Sequence, residues 1–341
     1  MPDMHIFLYE WATGGGLVEE PGSLPPSLLR EGAAMVGALA ADLARIEGAR
    51  VTVLRDPRVL NLALPGCELV DVLDRYSQGE ELERLANAAD ATILIAPEFD
   101  RILLDTARRV MATGGRLASP SPAFITVAAD KHKTCKLLAT AGVPTPPGVL
   151  LESDDSLPRD FQYPAVVKPI DGAGSQDTYL VSGPHDTPPA YAWPRRLERY
   201  MPGLPASVAM LCGPGGLVSL APCKQRISED GRFRYLGGEL PLAPGLAERA
   251  TALAERALSA LPSTIGYVGV DVVLGRNPNG DEDAVIEVNP RITTSYVGLR
   301  AAAQQNLAKA MILVNAGNAW KVDFSNRPIE FDPSGNASFM Q

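Results

Sequence analysis

The sequence predicts a mixed α/β protein with an N-terminal domain built on a parallel sheet, followed by two lobes that include antiparallel strands. Up to about residue 120, short apolar runs alternate with helical patterns, which is typical of βαβ units. Pro120 and Pro122 then mark a boundary. Beyond this boundary the strand patterns are more closely spaced, and this spacing favours antiparallel pairing.

The N-terminal part contains the elements of a parallel sheet with covering helices. A glycine cluster, Thr13 to Gly16, follows the first strand, at the edge where such sheets form their ligand crevice. The cluster lacks the glycine spacing of a dinucleotide site, so a flexible turn explains it equally well. The predicted strands are Ile6 to Tyr9, Val51 to Leu54, Leu69 to Val72 and Thr92 to Ala96, and the predicted helices lie near 27–47, 79–89 and 101–113.

A helix and a linker lead into a smaller lobe. The helix is predicted from about Ala123 to Ala141, and Gly142 and Pro144 close it in the usual order of stop signals. Residues 144–148 form the linker. The lobe then contains a strand, a loop of small residues and a returning strand, predicted at Pro164 to Pro169, Asp171 to Gln176 and Tyr179 to Ser182.

The larger lobe is predicted to be an antiparallel sheet with two helices. The polar stretch after Asn326 is expected to be a poorly ordered tail. The strands lie near 206–212, 217–221, 267–275 and 284–288, and the helices near 245–260 and 297–315. We therefore divide the chain into an N-terminal domain, a linker helix with the small lobe, a large lobe and a tail, at 1–120, 121–198, 199–325 and 326–341.

Composition and charge narrow the class of protein. A chain of 341 residues can bury a substantial core in two or three domains, and its net charge of -9 argues against nucleic acid as a partner. It has neither an apolar run of membrane-spanning length nor the pattern of a secretory signal, so we expect a cytoplasmic protein. The cysteines form no Cys-x-x-Cys pair and are expected to be reduced and structural: Cys67, Cys135, Cys212 and Cys223.

A lysine, Lys168, lies inside the apolar strand of the small lobe. Burying it is costly unless it meets an anion. The loop just after it contains Gly172, Gly174 and Ser175, small residues whose N–H groups can approach phosphate oxygens closely. We interpret the lysine and the loop as a phosphate clamp, and an edge-strand lysine beside an ordinary turn is the alternative.

Another lysine, Lys131, lies in the Asp130-Lys-His-Lys133 segment that begins the helix before the linker. A lysine near a helix N-terminus opposes the helix dipole, so its presence favours an anionic partner. A solvated helix face explains the same segment.

The segment from Leu197 to Gly203 is predicted to be a strand end and a turn between the two lobes. Backbone groups of such a hinge, near Tyr200 and Met201, can recognise the edge of an adenine, and Glu198 can accept a hydrogen bond from its amino group. An ordinary connector with a surface ion pair is the alternative.

Oxygen ligands cluster on the strands of the large lobe. Glu287 and Asn289 are two residues apart on a short buried strand, so their side chains share one face. Asp271 lies in another apolar run, where a carboxylate needs a cation. These three ligands suit Mg²⁺ or Mn²⁺. Arg291 is placed to hold a transferring phosphoryl group or an anionic substrate, and a buried Asp–Arg pair that only stiffens the sheet is the alternative.

Two basic residues, Lys224 and Arg226, fall on a predicted strand of the same lobe. Either side chain could reach the γ-phosphate of a bound nucleotide, and the sequence does not separate them. Both could also be ordinary surface residues.

Taken in order, these motifs resemble the ATP-grasp superfamily over about residues 120 to 320. The resemblance implies an ATP-grasp fold after a pre-ATP-grasp domain, ATP with Mg²⁺ or Mn²⁺ as cofactors, and an ATP-dependent ligase reaction that passes through an acyl phosphate. The matching segments are Asp130-Lys131, Val166-Val-Lys168-Pro169, the small-residue loop, Glu198-Arg-Tyr-Met-Pro-Gly203, Asp271 and Glu287-Val-Asn289-Pro-Arg291.

The resemblance also implies a role for each matching residue. Lys131 and Lys168 would bind the α- and β-phosphates, and Glu198 with the neighbouring hinge would bind adenine. Asp271, Glu287 and Asn289 would bind the metal. Arg291 would stabilise the transferring phosphoryl group. One position departs from the pattern, because many members carry a ribose-binding glutamate shortly after the hinge. This chain has Ser207 at about that place, so ribose is bound differently or by the serine.

Three segments resemble a particular branch of the superfamily, the one that contains tyramine–L-glutamate ligase of methanofuran biosynthesis. They are Tyr9 to Gly16, Pro205 to Val208 and Tyr235 to Gly238. The branch implies L-glutamate, activated at its γ-carboxylate, and tyramine as the amine, in the C1 metabolism that uses methanofuran-type cofactors. The acceptor site would lie between the large lobe and the N-terminal loops that include Glu10 and Gly14 to Gly16. A homodimer would be ordinary for the superfamily.

Three other activities could use the same motifs, and two of them are disfavoured. A carboxylase that activates bicarbonate is disfavoured because the chain lacks a biotin-carrier lysine motif. A non-catalytic nucleotide sensor is disfavoured because it would not need the metal residues. A ligase for a different amino acid or amine, such as a dipeptide or peptidyl-carrier synthetase, stays open.

Overall fold

The computed structural model describes residues 3–20, 26–59, 61–153, 155–172 and 174–340 of the chain. The N-terminal strands are β1 (Met4–Glu10), β2 (Ala49–Arg55), β3 (Cys67–Asp71) and β4 (Ala91–Ile95), and the helices are α1 (Pro26–Leu43), α2 (Arg75–Ala88) and α3 (Ile102–Ala112). All strand pairs are parallel, in the order β3-β2-β1-β4. The predicted parallel sheet is therefore confirmed.

Alternation along β1 explains how the helices cover both faces of this sheet. Ile6 and Leu8 belong to a core cluster that includes α1, whereas Phe7 and Tyr9 belong to another that includes α2 and α3. Because successive side chains of a strand point to opposite faces, one apolar strand serves two layers.

Two helices, α4 (Pro122–Ala128) and α5 (Lys131–Thr140), lead from the N-terminal domain to the linker. The single helix predicted from 123 to 141 is therefore wrong in one respect, because it is interrupted at Asp130. The Asp130 side chain accepts a hydrogen bond from the Lys133 N–H at 2.8 Å. A carboxylate in that position caps a new helix, so Lys131 begins α5.

The small lobe is an antiparallel sheet in the order β5-β8-β6-β7. Its strands are β5 (Gly148–Leu151), β6 (Ala165–Pro169), β7 (Tyr179–Val181) and β8 (Arg195–Arg199). Every residue of β6 is buried. The lysine of β6 is consequently held inside the lobe, beside its neighbour β8.

The large lobe is an antiparallel sheet of eight strands in the order β14-β13-β9-β11-β12-β15-β16, with β10 paired to β9. The strands are β9 (Leu204–Gly213), β10 (Gly216–Ser219), β11 (Cys223–Ile227), β12 (Tyr235–Leu240), β13 (Gly266–Leu274), β14 (Ala284–Asn289), β15 (Ile329–Phe331) and β16 (Ala337–Phe339). The helices are α6 (Pro244–Ser259), α7 (Ser295–Ala302) and α8 (Leu307–Asn315).

The end of the chain differs from the sequence-based expectation. The predicted helix near 297–315 is two helices, because Asn306 caps α8 by accepting from the Lys309 N–H at 2.9 Å. The stretch expected to be a poorly ordered tail adds β15 and β16 to the large sheet. Ile329 and Phe331 are buried there, so these apolar residues in a polar segment anchor the edge of the sheet.

A buried carboxylate joins the N-terminal domain to the large lobe. Asp42 on α1 is 1% exposed and accepts hydrogen bonds from Tyr296 Oη at 2.8 Å and from Arg300 Nη2 at 2.7 Å, both on α7. A buried charge is stable only when it is paired in this way. The contact holds α1 against the large lobe and brings its N-terminal half to the site described next.

Two further findings concern membrane-spanning helices and the cysteines. Among the described residues, no helix has both the length and the apolar character that a membrane crossing requires. The four cysteines are free thiols, and three of them are buried.

Candidate active site

A cavity lies where the small sheet, the large sheet and α1 meet. Its wall combines strands from both lobes with one residue of the N-terminal domain, Glu31. Many of the predicted site residues line it: Lys168, Gly174, Ser175, Glu198, Tyr200, Met201, Ser207, Asp271, Glu287, Asn289 and Arg291. The fold thus brings together residues that are far apart in the sequence.

Lys168 and Glu198 form a buried ion pair at one side of the cavity. They lie on the paired strands β6 and β8, and Lys168 Nζ is 2.5 Å from Glu198 Oε1. Arg196 Nε donates to the other oxygen of Glu198 at 2.8 Å. Burial acts to lower the pKa of Lys168, but the charge of Glu198 opposes this and the pKa is raised overall. The lysine therefore stays cationic, as a phosphate-binding residue must.

Lys131 lies beside this cavity and does not line it. The lysine is buried, and its Nζ is 3.5 Å from Glu287 Oε2 and donates to the carbonyl oxygen of Gly172. It adjoins a small neighbouring space between α5 and β14. Lys131 thus links the Gly172 carbonyl to Glu287, a candidate metal ligand. The phosphate-binding roles of Lys131 and Gly172 stay predictions.

Both connections that flank the cavity have special backbone geometry. Gly174 and Ser175 adopt left-handed φ values of 63° and 58°, a conformation that favours glycine and turns consecutive N–H groups to one side; Ala173 of the same loop lies outside the described residues. At the hinge, a Cβ on Gly203 would lie 2.5 Å from the Leu274 carbonyl oxygen. Glycine therefore lets the hinge pass directly over the end of β13.

Asp271, Glu287 and Asn289 converge on one face of the large sheet. Asp271 and Glu287 are directly opposite each other on β13 and β14, and Asn289 Nδ2 donates to Asp271 Oδ2 at 3.0 Å. Burial raises the pKa of Asp271 to about 6, and the charge of Glu287 adds to the rise. Two carboxylates held this closely repel each other, and a cation between them would remove that repulsion.

The donor set fits a hard divalent cation. Asn289 uses its amide nitrogen on Asp271, so its carbonyl oxygen stays available, and the two carboxylates supply the other oxygens. Within the described ranges no group of three or more His, Cys, Asp or Glu residues is arranged for a metal. The candidate therefore has two carboxylates and an amide, which suits Mg²⁺ or Mn²⁺ bound jointly with phosphate oxygens better than a site closed by protein alone.

Arg291 is held by a carboxylate of the N-terminal domain. Its Nε donates to Glu98 Oε1 at 2.9 Å, with side-chain exposures of 13% and 3%. Burial opposes the charged form of Arg291, but Glu98 raises its pKa and keeps it cationic. Because Glu98 follows β4 in sequence, the pattern of the lobes could not reveal it as a partner of the site.

The structure does not bring Lys224 or Arg226 into the cavity. Lys224 pairs with Glu239 at 3.1 Å and Arg226 with Glu330 at 3.4 Å. Alternation on β11 instead turns Gln225 toward the cavity. The expectation that one of the two basic side chains reaches the γ-phosphate is not supported by this placement.

Gln225 is a site residue that the sequence did not reveal. Its Nε2 donates to Asp271 Oδ1 at 2.9 Å, opposite the bond from Asn289. A glutamine in a polar strand carries no signal of its own, although its position between Lys224 and Arg226 on an alternating strand marks it as the residue on the opposite face.

Replacing Gln225 by alanine is expected to reduce turnover roughly tenfold, because partners that orient metal ligands carry effects of about that size. The measurement is the rate of ADP release at saturating ATP and Mg²⁺. The exposed Gln304, changed to alanine in the same way, should leave the rate unchanged. A Gln225→Ala enzyme with the original rate would show that Asp271 needs no such orientation.

The glycine cluster after β1 forms a structural turn. The Glu10 carboxylate accepts from the N–H groups of Ala12 and Thr13, at 3.1 and 2.7 Å, and Gly14 N donates to the Glu10 carbonyl. Glu10 and residues 14–16 are not part of the cavity wall. These bonds show a turn folded around Glu10, while the role of this loop in an acceptor site stays a prediction.

Comparison with known proteins identifies the two parts of the chain separately. Residues 128–295 match the model of an ATP-grasp domain, and residues 49–125 match that of a pre-ATP-grasp domain. A relative named tyramine–L-glutamate ligase, from Methanocaldococcus fervens, is 25% identical over 92% of this chain and 94% of its own.

Solved structures agree with this assignment of the fold. An ATP-grasp superfamily protein from Archaeoglobus fulgidus superposes with a TM-score of 0.73 at 23% identity, over 96% of this chain and 92% of its own. The ADP complex of an N5-carboxyaminoimidazole ribonucleotide synthetase also gives a TM-score of 0.73, at 15% identity over 97% of this chain and 81% of its own.

Proposed function

Since this chain belongs to the ATP-grasp superfamily and is a ligase that forms carbon–nitrogen bonds, we propose that it joins the γ-carboxylate of L-glutamate to the amine of tyramine. The energy comes from ATP, which is converted to ADP and phosphate. The relative with this activity in its name matches nearly the full length of both chains. We further propose that the product serves the biosynthesis of a methanofuran-type cofactor in C1 metabolism.

The observation that carries the proposal is the position of opposite charges in one cavity. The cationic Lys168 lies on the small lobe, and Asp271, Glu287 and Arg291 line the same cavity from the large lobe. A nucleoside triphosphate that spans the lobes would place its phosphates between Lys168 and Arg291. The acidic pair supports a divalent cation on those phosphates.

The first step under this proposal is phosphoryl transfer. An oxygen of the substrate carboxylate attacks the γ-phosphorus of ATP, an acyl phosphate forms, and ADP leaves. Catalysis of such a transfer consists mainly of positioning and charge neutralisation. Lys168 and Arg291 would supply fixed positive charge, and Glu98 would hold the Arg291 guanidinium in place. Mg²⁺, held by Asp271, Glu287 and Asn289, would neutralise phosphate charge.

The second step is acyl transfer. The neutral amine attacks the acyl carbon, an amide bond forms, and phosphate leaves with the electron pair of the broken carbon–oxygen bond. Arg291 is suited to stabilise the negative charge that develops on the acyl and phosphate oxygens. Because the acyl phosphate reacts with water, both steps need a cavity that is closed to solvent.

The experiment that tests the proposal is ADP release by the purified protein with Mg²⁺, ATP and L-glutamate, with and without tyramine. Release that requires both substrates, with a product whose mass is their sum less water, is expected. Release with another acid and amine from a panel would keep the ligase and reject these substrates. Release of ADP with no acid or amine present would point to a simple ATPase.

We also propose that the enzyme works in the cytoplasm, where ATP is available and thiols stay reduced. The four free cysteines support this proposal. Measurement of the activity in a soluble extract and in a washed membrane fraction checks it, and the soluble extract should contain the activity.

A further inference from the structure

One carboxylate in the cavity comes from outside the two lobes. Glu31 lies on α1 of the N-terminal domain, and it lines the same wall as Asp271 and Arg291. Its position is fixed, because Asp42 further along α1 is bonded to α7. Glu31 could not be selected from the sequence, since nothing in the motif pattern links α1 to the lobes.

In the part of the chain that the structure describes, the Glu31 carboxylate makes no hydrogen bond and no ion pair. Burial raises its pKa, while the charges of Arg291 and Arg30 oppose the rise. A partly buried carboxylate without a donor is unfavourable, so this position suits a ligand that brings N–H donors.

The surroundings of Glu31 suit an organic cation better than a phosphate. Tyr235 of β12 lines the same wall, and its ring packs against the core. Burial is the main cause that raises the pKa of the Tyr235 hydroxyl, and the charges of Asp271 and Glu31 add to it. The hydroxyl therefore lies near both carboxylates, where negative charge would repel an anion.

Hydroxyl groups complete this end of the cavity. Thr293 and Ser295, both in the wall, bond to each other at 2.8 Å and to the hydroxyl of the buried Tyr267 at 3.3 and 3.2 Å. A network fixed in this way offers polar contacts without adding positive charge. This part of the cavity thus combines the Glu31 carboxylate, an aromatic ring and neutral hydroxyls, while the nearby guanidinium of Arg291 is already paired with Glu98.

We propose that Glu31 is the counter-ion for a primary ammonium group of the organic substrate, in the part of the cavity wall that comes from the N-terminal domain. The inference rests on the proposed function, since it concerns the same reaction. The ammonium group has two possible sources, the α-amino group of the acid substrate and the amine substrate before it loses its proton. In either case Glu31 determines specificity by selecting a cationic nitrogen.

The test is Glu31→Gln, which keeps the size of the side chain and removes its charge. Loss of a charged hydrogen bond should raise the KM of the ammonium-bearing substrate roughly tenfold to hundredfold. The KM for ATP should stay within about twofold, because the carboxylates that act on Lys168 are Glu198 and Glu287 and not Glu31. Glu31→Asp, which keeps the charge, should show a smaller rise.

Pairs of related compounds identify the source of the ammonium group. Glutarate lacks the α-amino group of glutamate, and it is measured as a substrate or as a competitive inhibitor. A raised KM for glutamate with an unchanged constant for glutarate assigns Glu31 to the acid. A raised KM for tyramine alone assigns it to the amine. Unchanged constants for all three compounds, or equal rises for glutamate and glutarate, would overturn the inference.

A control variant and a binding experiment separate this inference from the proposed function. Glu248 is exposed on α6, and Glu248→Gln should leave every constant unchanged. If glutamate and tyramine give no ADP release with the unchanged protein, the proposed substrates fail. The subsite is then tested by calorimetric titration of tyramine and of L-glutamate in the presence of MgADP. Binding that Glu31→Gln weakens supports it, and no binding of either compound overturns it.

Discussion

Glu287→Ala is expected to reduce turnover at least about hundredfold while the protein stays folded. Glu287 supplies a candidate metal ligand, and its side chain is 22% exposed, at the cavity wall. Its removal leaves Lys131 bonded to the Gly172 carbonyl and relieves the repulsion of Asp271. The free energy of unfolding should therefore change by no more than about 1 kcal/mol. Steady-state ADP release and a thermal denaturation curve measure the two effects.

Two variants sharpen this test. Glu287→Gln keeps the shape but weakens the ligand, so it should lose turnover nearly as completely as the alanine variant. Glu248→Ala, on the exposed face of α6, serves as the matched control and should keep full activity. Normal turnover by Glu287→Ala would contradict the metal assignment. A large drop in melting temperature would instead assign Glu287 to the stability of the fold.

Lys168→Met is expected to raise the ATP concentration for half-maximal rate roughly tenfold to hundredfold, because a charged hydrogen bond to phosphate is lost. Methionine retains the packing of the apolar stem inside β6. The change also leaves Glu198 without one of its two partners, although Arg196 still donates to it at 2.8 Å. We therefore expect a moderate fall in melting temperature as well, measured by calorimetry.

A double variant separates binding from stability. In Lys168→Met combined with Glu198→Gln, both charges of the pair are removed. Arg196 loses its carboxylate but keeps its bond to the Pro146 carbonyl, so the melting temperature should recover in part while the high ATP requirement persists. Lys133 is exposed on α5, and Lys133→Met should change neither property. An ordinary ATP requirement in the single variant, or its recovery in the double variant, would show that Lys168 does not bind ATP.

Local rules of the sequence predicted the residues that lie within single strands. Alternation was enough to place Glu287 and Asn289 on one face, and the cost of burying a charge was enough to select Lys168 and Asp271. On β11 alternation puts Lys224 and Arg226 on one face and Gln225 on the other, but it does not indicate which face borders the cavity. The strand β15 was missed because only Ile329 and Phe331 carry its apolar character within a polar segment.

Residues contributed by the other domain could not be predicted in this way. Glu31 reaches the cavity wall, and Glu98 reaches Arg291, only because α1 and the segment after β4 pack against the large lobe. No periodicity within either segment records that packing. The helix break at Asp130, by contrast, was readable, since an aspartate three residues before a free N–H is a capping signal.

The bond between Glu98 and Arg291 has a consequence for how such enzymes can be recombined. The arginine proposed to act on the reacting phosphoryl group owes its orientation to a carboxylate more than a hundred residues away, in a part of the chain that matches a different family model. Domains therefore cannot be exchanged at the boundary between the two matched regions without regard to the Glu98–Arg291 ion pair. A chimera that exchanges the N-terminal domain should stay active only when the incoming domain presents an acid where Glu98 lies.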